Sequence, residues 1–153
     1  MTNAAATPRL AQALFVDDSA AEIRLVTELL NRASVQFDGH WVSCGEDALG
    51  FLRRDRGFEN APTPDIIFLD LNLPKLSGAK VLQIIQSDPH LSRIPVVILS
   101  GSDHEDDIIN ARERGATHYV VKPLDYPKLR ETVTLVDTLR LVSEGSEWHL
   151  TLA

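Results

Sequence analysis

The sequence predicts an α/β fold, a five-stranded parallel sheet with helices on both faces. Three observations carry that prediction. Short β-branched runs alternate five times with amphipathic segments of helical period, the repeat expected of a parallel sheet. Four of the runs, in "ALFVDD", "IIFLD", "PVVILS" and "HYVVKP", are apolar almost without interruption, as strands buried on both faces must be. Each of the four also ends on a polar residue: Asp17–Asp18, Asp70, Ser100 and Lys122.

The elements follow in order. Residues 1–9 read as a flexible tail, and the first strand runs from Ala13 to Val16. "SAAEIRLVTELLNRAS" places Ile23, Val26, Leu29 and Leu30 at helical spacing, with Ser19 and Glu22 as a capping box at its start. "WVSC" is a short strand, and "GEDALGFLRRD" a helix with a second capping box at Ser43 and Glu46. "RGFENAPTPD" reads as a loop from its Gly, Asn and prolines. Ile66–Leu69 is the third strand, and Gly78–Ser87 a helix stopped by Pro89. "PVVILS" is the fourth strand, "EDDIINARERG" a helix closed by Gly115, and "HYVVKP" the fifth strand. "DYPKLRETVTLVDTLRLV" reads as one last helix, with Asp125 at its N-cap and Pro127 in its first turn.

A chain of 153 residues suits one domain with a real core. A net charge of −7 argues against a nucleic-acid surface, which needs clustered Lys and Arg, and against anionic membranes. The single cysteine, Cys44, excludes an internal disulfide and fits a reducing compartment. No signal-peptide pattern and no membrane-spanning run is present, so a cytoplasmic location is expected. The five histidines show no zinc-ligand spacing, and there is no phosphate loop for a nucleotide.

In a parallel sheet the C-terminal strand ends share one edge, where open α/β sheets bind ligands. Asp17, Asp18, Asp70, Ser100 and Lys122 therefore converge there. Three neighbouring carboxylates repel one another unless a cation sits among them, and hard oxygen ligands suit Mg²⁺. A carboxylate, Mg²⁺, an ammonium and a hydroxyl are the parts that hold a transferring phosphoryl group. The carboxylate can itself be the nucleophile, giving an aspartyl phosphate.

From about Ala13 to Val142 the chain resembles the receiver domain of two-component response regulators, on "FVDD", "FLDLNLP", "VVILSGS", "GATHYVVKPL" and their spacing. The resemblance implies a flavodoxin-like (βα)5 fold with strand order 2-1-3-4-5, a receiver spanning residues 10–142 and a C-terminal extension over 143–153. It implies Asp70 as phospho-acceptor. Mg²⁺, or Mn²⁺ in its place, would be held by Asp17, Asp18, Asp70 and the backbone carbonyl of Asn72. Ser100 and Lys122 would contact the phosphoryl oxygens, Ser100 and Tyr119 would form the switch, and the Lys122–Pro123 bond would be cis. The partner implied is a sensor histidine kinase, and the chemistry is limited to self-phosphorylation and self-dephosphorylation. "DLNLPKLSG", "SDPHLSRIPVV", "SGSDHEDDI" and the tail "SEGSEWHL" further resemble single-domain receivers that partner phytochrome kinases.

Two other functions fit parts of the pattern. A phosphohydrolase using an aspartyl phosphate wants a second acid two residues after the nucleophile, where this chain has Asn72. A phosphorylation-independent adaptor would not need the full acid set. Finally, Leu135, Leu139 and Val142 form a second apolar line along the expected last helix, followed by Trp148, Leu150 and Leu152 in strand-like alternation. That surplus apolar surface, and the phytochrome-associated resemblance, predict a homodimer through Leu135, Leu139, Val142 and Trp148, with a tail folded onto its own domain as the alternative.

Overall fold

The structure is a computed structural model and describes residues 9–153. Of the expected flexible tail, residues 1–8 lie outside the described residues. In chain order the elements are β1 (Gln12–Val16), α1 (Ala20–Arg32), β2 (Val35–Gln36), β3 (Asp38–Val42), α2 (Gly45–Arg53), β4 (Ile66–Asp70), α3 (Gly78–Ser87), β5 (Val96–Ser100), α4 (Glu105–Glu113), β6 (His118–Val121), α5 (Tyr126–Thr134), β7 (Leu139–Glu144) and β8 (Glu147–Leu152). A short 3₁₀ turn, Leu91–Arg93, leads into β5.

Five strands form one parallel sheet in the order β3-β1-β4-β5-β6, which is 2-1-3-4-5 counted along those five. Alternate side chains divide the core into two layers, as the two-residue period of a strand requires. Leu14, Val16, Ile67, Leu69 and Ile98 face Val81, Leu82 and Ile85 of α3 and Ala48 of α2. Phe15, Phe68, Val97 and Leu99 face Val26 and Leu30 of α1 and Leu129 and Val133 of α5. Phe15 stacks on Phe68 with ring centroids 4.9 Å apart. Each such side chain contributes roughly 1.5–3 kcal/mol by leaving water, so the sheet is anchored from both faces.

The caps follow the sequence in part. Ser77 and Asp125 cap α3 and α5, accepting from the Lys80 and Lys128 amides. Ser19 caps α1 by accepting from the Glu22 amide, but the Glu22 carboxylate does not return the bond. The Ser43–Glu46 box does not form. Cys44 is the N-cap of α2 and makes no side-chain cap bond. The expected strand at "WVSC" sits earlier, over Asp38–Val42.

The last helix is a correction. It ends at Thr134, not Val142. Thr132 and Thr134 turn their hydroxyls onto the carbonyls of Lys128 and Glu131, and the amides of Leu135 and Val136 tighten onto Thr132 and Val133 in i→i+3 bonds. The chain then forms an antiparallel hairpin, β7–β8, around a two-residue turn. Gly145 occupies its first position with φ +64°, a conformation that glycine adopts without strain. β8 also pairs in parallel with β2, giving a second sheet in the order β2-β8-β7.

This hairpin seals the α1/α5 layer. Leu139 and Leu150 are buried in it, and Trp148 lies against Tyr126 with centroids 5.8 Å apart. Leu135, Leu139 and Val142 therefore form no line on a helix. Leu135 caps α5 and is half exposed, Leu139 is core, and Val142 is a half-buried strand residue. The alternation of Trp148, Leu150 and Leu152 is that of a strand, folded onto its own domain. β7 runs straight through the expected boundary at residues 142 and 143. Among the described residues, no helix is long and apolar enough to cross a membrane.

Candidate functional site

Parallel pairing places the C-terminal ends of β1, β4, β5 and β6 side by side. Asp70 pairs with Leu99, and Ser100 with Val121, so Asp70, Ser100 and Lys122 fall on adjacent strand ends. Asp17 and Asp18 follow β1 immediately. Carboxylate oxygens of Asp17, Asp18 and Asp70 all come within 4.8 Å of one another. Asp17 and Asp70 are each only 5% exposed, whereas Asp18 faces solvent.

Each group is held by its own local structure. Asp17 Oδ1 accepts the Ser19 amide at 2.9 Å, which fixes the carboxylate as it closes the turn into α1. Asp70 Oδ1 accepts the Asn72 amide at 3.0 Å in the same way. Trp41, half exposed on the edge strand β3, donates its indole N–H to the Asp17 carbonyl at 2.7 Å and braces the strand end from outside. Gly78 opens α3 against the other acid. A Cβ there would stand 2.1 Å from the Asp70 carbonyl oxygen, so only glycine lets the helix approach this closely.

Lys122, the residue after β6, closes the site from that side. Its Nζ donates to Asp17 Oδ2 at 2.9 Å and to Glu22 Oε2, and lies 3.5 Å from Asp70 Oδ2. Burial alone would lower its pKa, but the carboxylates of Glu22, Asp17 and Asp70 outweigh it, and the ammonium is pushed up to about 12. Burial pushes the Asp70 carboxyl above the ordinary range, against the downward pull of the Asn72 N–H and Lys122, with Asp17 adding to the rise. Two unit charges at the Asp17–Asp70 separation repel by roughly 3–4 kcal/mol at an effective dielectric near 20. One ammonium shared among three carboxylates leaves that cluster net negative, with hard oxygens on one side and room toward solvent at Asp18. Such a donor set fits a divalent cation of the Mg²⁺ or Mn²⁺ type.

Ser100 and Tyr119 meet through Ser102. Ser100 Oγ accepts the Ser102 amide at 3.2 Å, and the Tyr119 hydroxyl donates to the Ser102 carbonyl at 2.8 Å. Ser102 Oγ in turn donates to Asp107 in the first turn of α4, at 2.5 Å. Tyr119 is inward here, only 7% exposed. The Lys122–Pro123 peptide is cis, and Lys128 Nζ donates to the Val121 and Pro123 carbonyls on either side of it.

All the acids and the cation named from the sequence are thus brought together, with Asn72 contributing an amide contact to Asp70. Four residues were missed. Glu22 is a site residue that the cap pattern disguised. Trp41 binds a backbone carbonyl through its indole, Gly78 and Ser102 act through their own backbone, and the sequence signals were slight: an exposed-edge Trp, the glycine eight residues after Asp70, and a serine two residues after Ser100.

Comparison with known proteins gives a consistent picture. A family model described as the response regulator receiver domain matches residues 13–134. Response regulator Rcp1 of Synechocystis sp. is 38% identical over 128 residues, covering 84% of this chain and 87% of Rcp1. The crystal structure of Mn²⁺-bound Rcp1 superposes with a TM-score of 0.70 at 35% identity, covering 87% of this chain and 99% of that one. The phosphorylated cyanobacterial phytochrome response regulator RcpA gives 0.69 at 41% identity, over 78% of this chain and 86% of that one. The bacteriophytochrome response regulator AtBRR gives 0.77 at 30% identity, over 84% and 94%.

Proposed function

The chain belongs to the response regulator receiver domain family, and from that premise we propose that it takes a phosphoryl group onto Asp70 from a phosphohistidine of a sensor kinase, and that the kinase is a bacterial phytochrome. The observation that carries the reading is the convergence of Asp17, Asp18 and Asp70 within 4.8 Å, with Lys122 Nζ 3.5 Å from Asp70. The phytochrome partner is supported by likeness to RcpA and AtBRR.

Asp70 is the nucleophile. Its carboxylate oxygen forms the bond to phosphorus as the bond to the donor breaks and the donor leaves with the electron pair. Asp17, Asp18, Asp70 and the Asn72 carbonyl would hold Mg²⁺ or Mn²⁺, which supplies positive charge to the phosphoryl oxygens. Lys122 and Ser100 neutralise and position the same oxygens. The donor's entry lies over α1. An apolar slot of about 160 Å³ beside Asp17 and Lys122 is lined by Ile23, Leu25, Val26 and Pro123, and Leu25 is 45% exposed. That is the surface a kinase helix bearing the histidine would cover.

The switch runs from Ser100 to α4. When Ser100 Oγ turns to the phosphoryl group it leaves the Ser102 amide. Ser102 also carries Tyr119 through its carbonyl and Asp107 through its hydroxyl. Its movement shifts the start of α4 and the surface built on α4, β6 and α5. Hydrolysis of the acyl phosphate resets the site. Copies of the protein pair as a homodimer, for which the fold leaves the half-exposed Leu135 and the outer edge of β7, which has no strand partner among the described residues.

Acetyl phosphate with Mg²⁺ tests the acceptor. Intact-mass spectrometry should show one added phosphoryl group on the wild type, none on Asp70→Asn, and none in excess chelator. Equal labelled fractions in Asp70→Asn and wild type would remove Asp70 from the role.

A further inference from the structure

Glu22 stands at the third position of α1, where a glutamate after an N-cap serine ordinarily folds back to the cap residue's own amide. Here that amide is taken, because Ser19 N–H donates to Asp17 Oδ1. The cap is completed without the Glu22 carboxylate, by the Glu22 backbone amide on Ser19 Oγ. The carboxylate instead reaches across to Lys122, the residue after β6, a hundred residues away in sequence. It lies outside the three-acid cluster that fits a cation.

An ammonium has three donors, and those of Lys122 are engaged or approached by Asp17, Glu22 and Asp70. To meet a phosphoryl oxygen, Lys122 must release one of them. Asp17 and Asp70 are buried and pinned by the Ser19 and Asn72 amides. The Glu22 side chain is 45% exposed and is otherwise unbound among the described residues. It is the partner that can leave most easily, and until it leaves it withholds the ammonium from the site.

We propose that Glu22 is a positioning residue that holds Lys122 in the resting site and sets the rate at which Asp70 is phosphorylated. The proposal rests on Asp70 being the acceptor. Phosphorylation forms an Asp70 Oδ–P bond and breaks the donor's own bond to phosphorus, N–P in a phosphohistidine and O–P in acetyl phosphate, the donor leaving with the electron pair. Glu22 takes no part in either bond and acts by where it keeps the ammonium.

The test is the initial rate of labelling by acetyl phosphate in saturating Mg²⁺, followed by intact-mass spectrometry. The leaving group is acetate, which departs with the bonding pair. Glu22→Gln keeps shape and removes charge, and Glu22→Asp keeps charge at the mouth but is too short to hold Lys122. Neither touches the Ser19 cap, and urea unfolding of each checks the fold. Both variants should label about 1.5-fold to fivefold faster than wild type, the range for loss of one partly screened ion pair. An unchanged or slower Glu22→Gln overturns the proposal. So does a Glu22→Asp variant at the wild-type rate, which would leave only repulsion of the incoming anion. If the wild type itself is unlabelled, or labelled away from Asp70, the acceptor assignment has failed. If it is labelled at Asp70 and the variants are no faster, Glu22 alone has failed.

Discussion

Leu150→Ala separates a C-terminal arm that serves only a partner from a hairpin that completes the domain. Leu150 is 1% exposed on β8. It packs among Ala13, Phe15, Leu30, Phe37, Phe68 and Leu129, drawn from β1, β4, α1, α5 and the segment before β3. Truncating a buried leucine costs about 2–5 kcal/mol, with the larger values where the surroundings cannot collapse. Three rings and a sheet backbone surround the leucine, so about 3–4 kcal/mol is expected. At a urea slope near 2 kcal/mol/M that moves the midpoint down by roughly 1.5–2 M, and it lowers Tm by roughly 10 °C for a chain of this size. The assay is urea unfolding at two protein concentrations a hundredfold apart, with light scattering to report the oligomer. If β8 packs on its own domain, the loss in stability is the same at both concentrations even where the protein pairs through β7. A midpoint change below about 0.3 M would refute the packing. A loss that vanishes on dilution would place the leucine on a partner chain.

Two further predictions concern charge. Burial raises the folded pKa of the Asp70 carboxyl above its unfolded value. The folded state therefore binds protons more tightly than the unfolded one, and stability falls as pH rises from 3.8 through the raised value. Asp70→Asn should accordingly raise the urea midpoint of the metal-free protein at pH 7, and added Mg²⁺ should stabilise the wild type more than the variant; a destabilised variant would contradict the burial argument. His118 has the opposite sign. Burial lowers its pKa below 6.5, ahead of a smaller upward pull from Glu131 and a downward push from Arg112, and its Nδ1 is buried without a hydrogen bond among the described residues. The unfolded chain takes up the proton first, so stability should be lost as pH falls from 6.5 to the folded value, by at most about 1.4 kcal/mol per pH unit. His118→Leu should flatten that part of the stability profile, and parallel profiles for the two proteins would count against it.

The five-stranded sheet was legible because its buried strands are short apolar runs bounded by turn residues and alternating with segments of helical period, a combination that reads as strand. The acids and Lys122 were legible for the same reason, since a polar residue closing such a run has to lie at the sheet edge. The chain beyond Thr134 carried two patterns at once. Leu135, Leu139 and Val142 fit a helical stripe, while Leu139 and Leu141 on one side of Gly145 and Trp148, Leu150 and Leu152 on the other fit a hairpin. Short apolar runs do not distinguish these periods. The decision came from tertiary structure: β2 offers β8 a parallel partner, and the α1/α5 layer needs Leu139 and Leu150 as its lid. Glu22 was misread through the opposite error, a local motif accepted as complete. A capping box needs the N-cap amide to be free, and whether Asp17 takes it depends on the turn after β1.

The core and the site follow from a single register. With Asp70 beside Leu99, the side chains of Leu69 and Ile98 share one layer, and those of Phe68 and Val97 the other. A slip of one residue would exchange the two faces of β4 and drive each apolar set against the wrong helices. It would also move Asp70 along the edge by about 3.3 Å relative to Ser100 and Lys122, past the reach of an ammonium now 3.5 Å away. The hydrophobic pattern that selects the pairing therefore also sets the distance between the Asp70 carboxylate and the Lys122 ammonium. What the register leaves adjustable is the last bond of Lys122, and Glu22, on a helix outside the sheet, is the residue placed to adjust it.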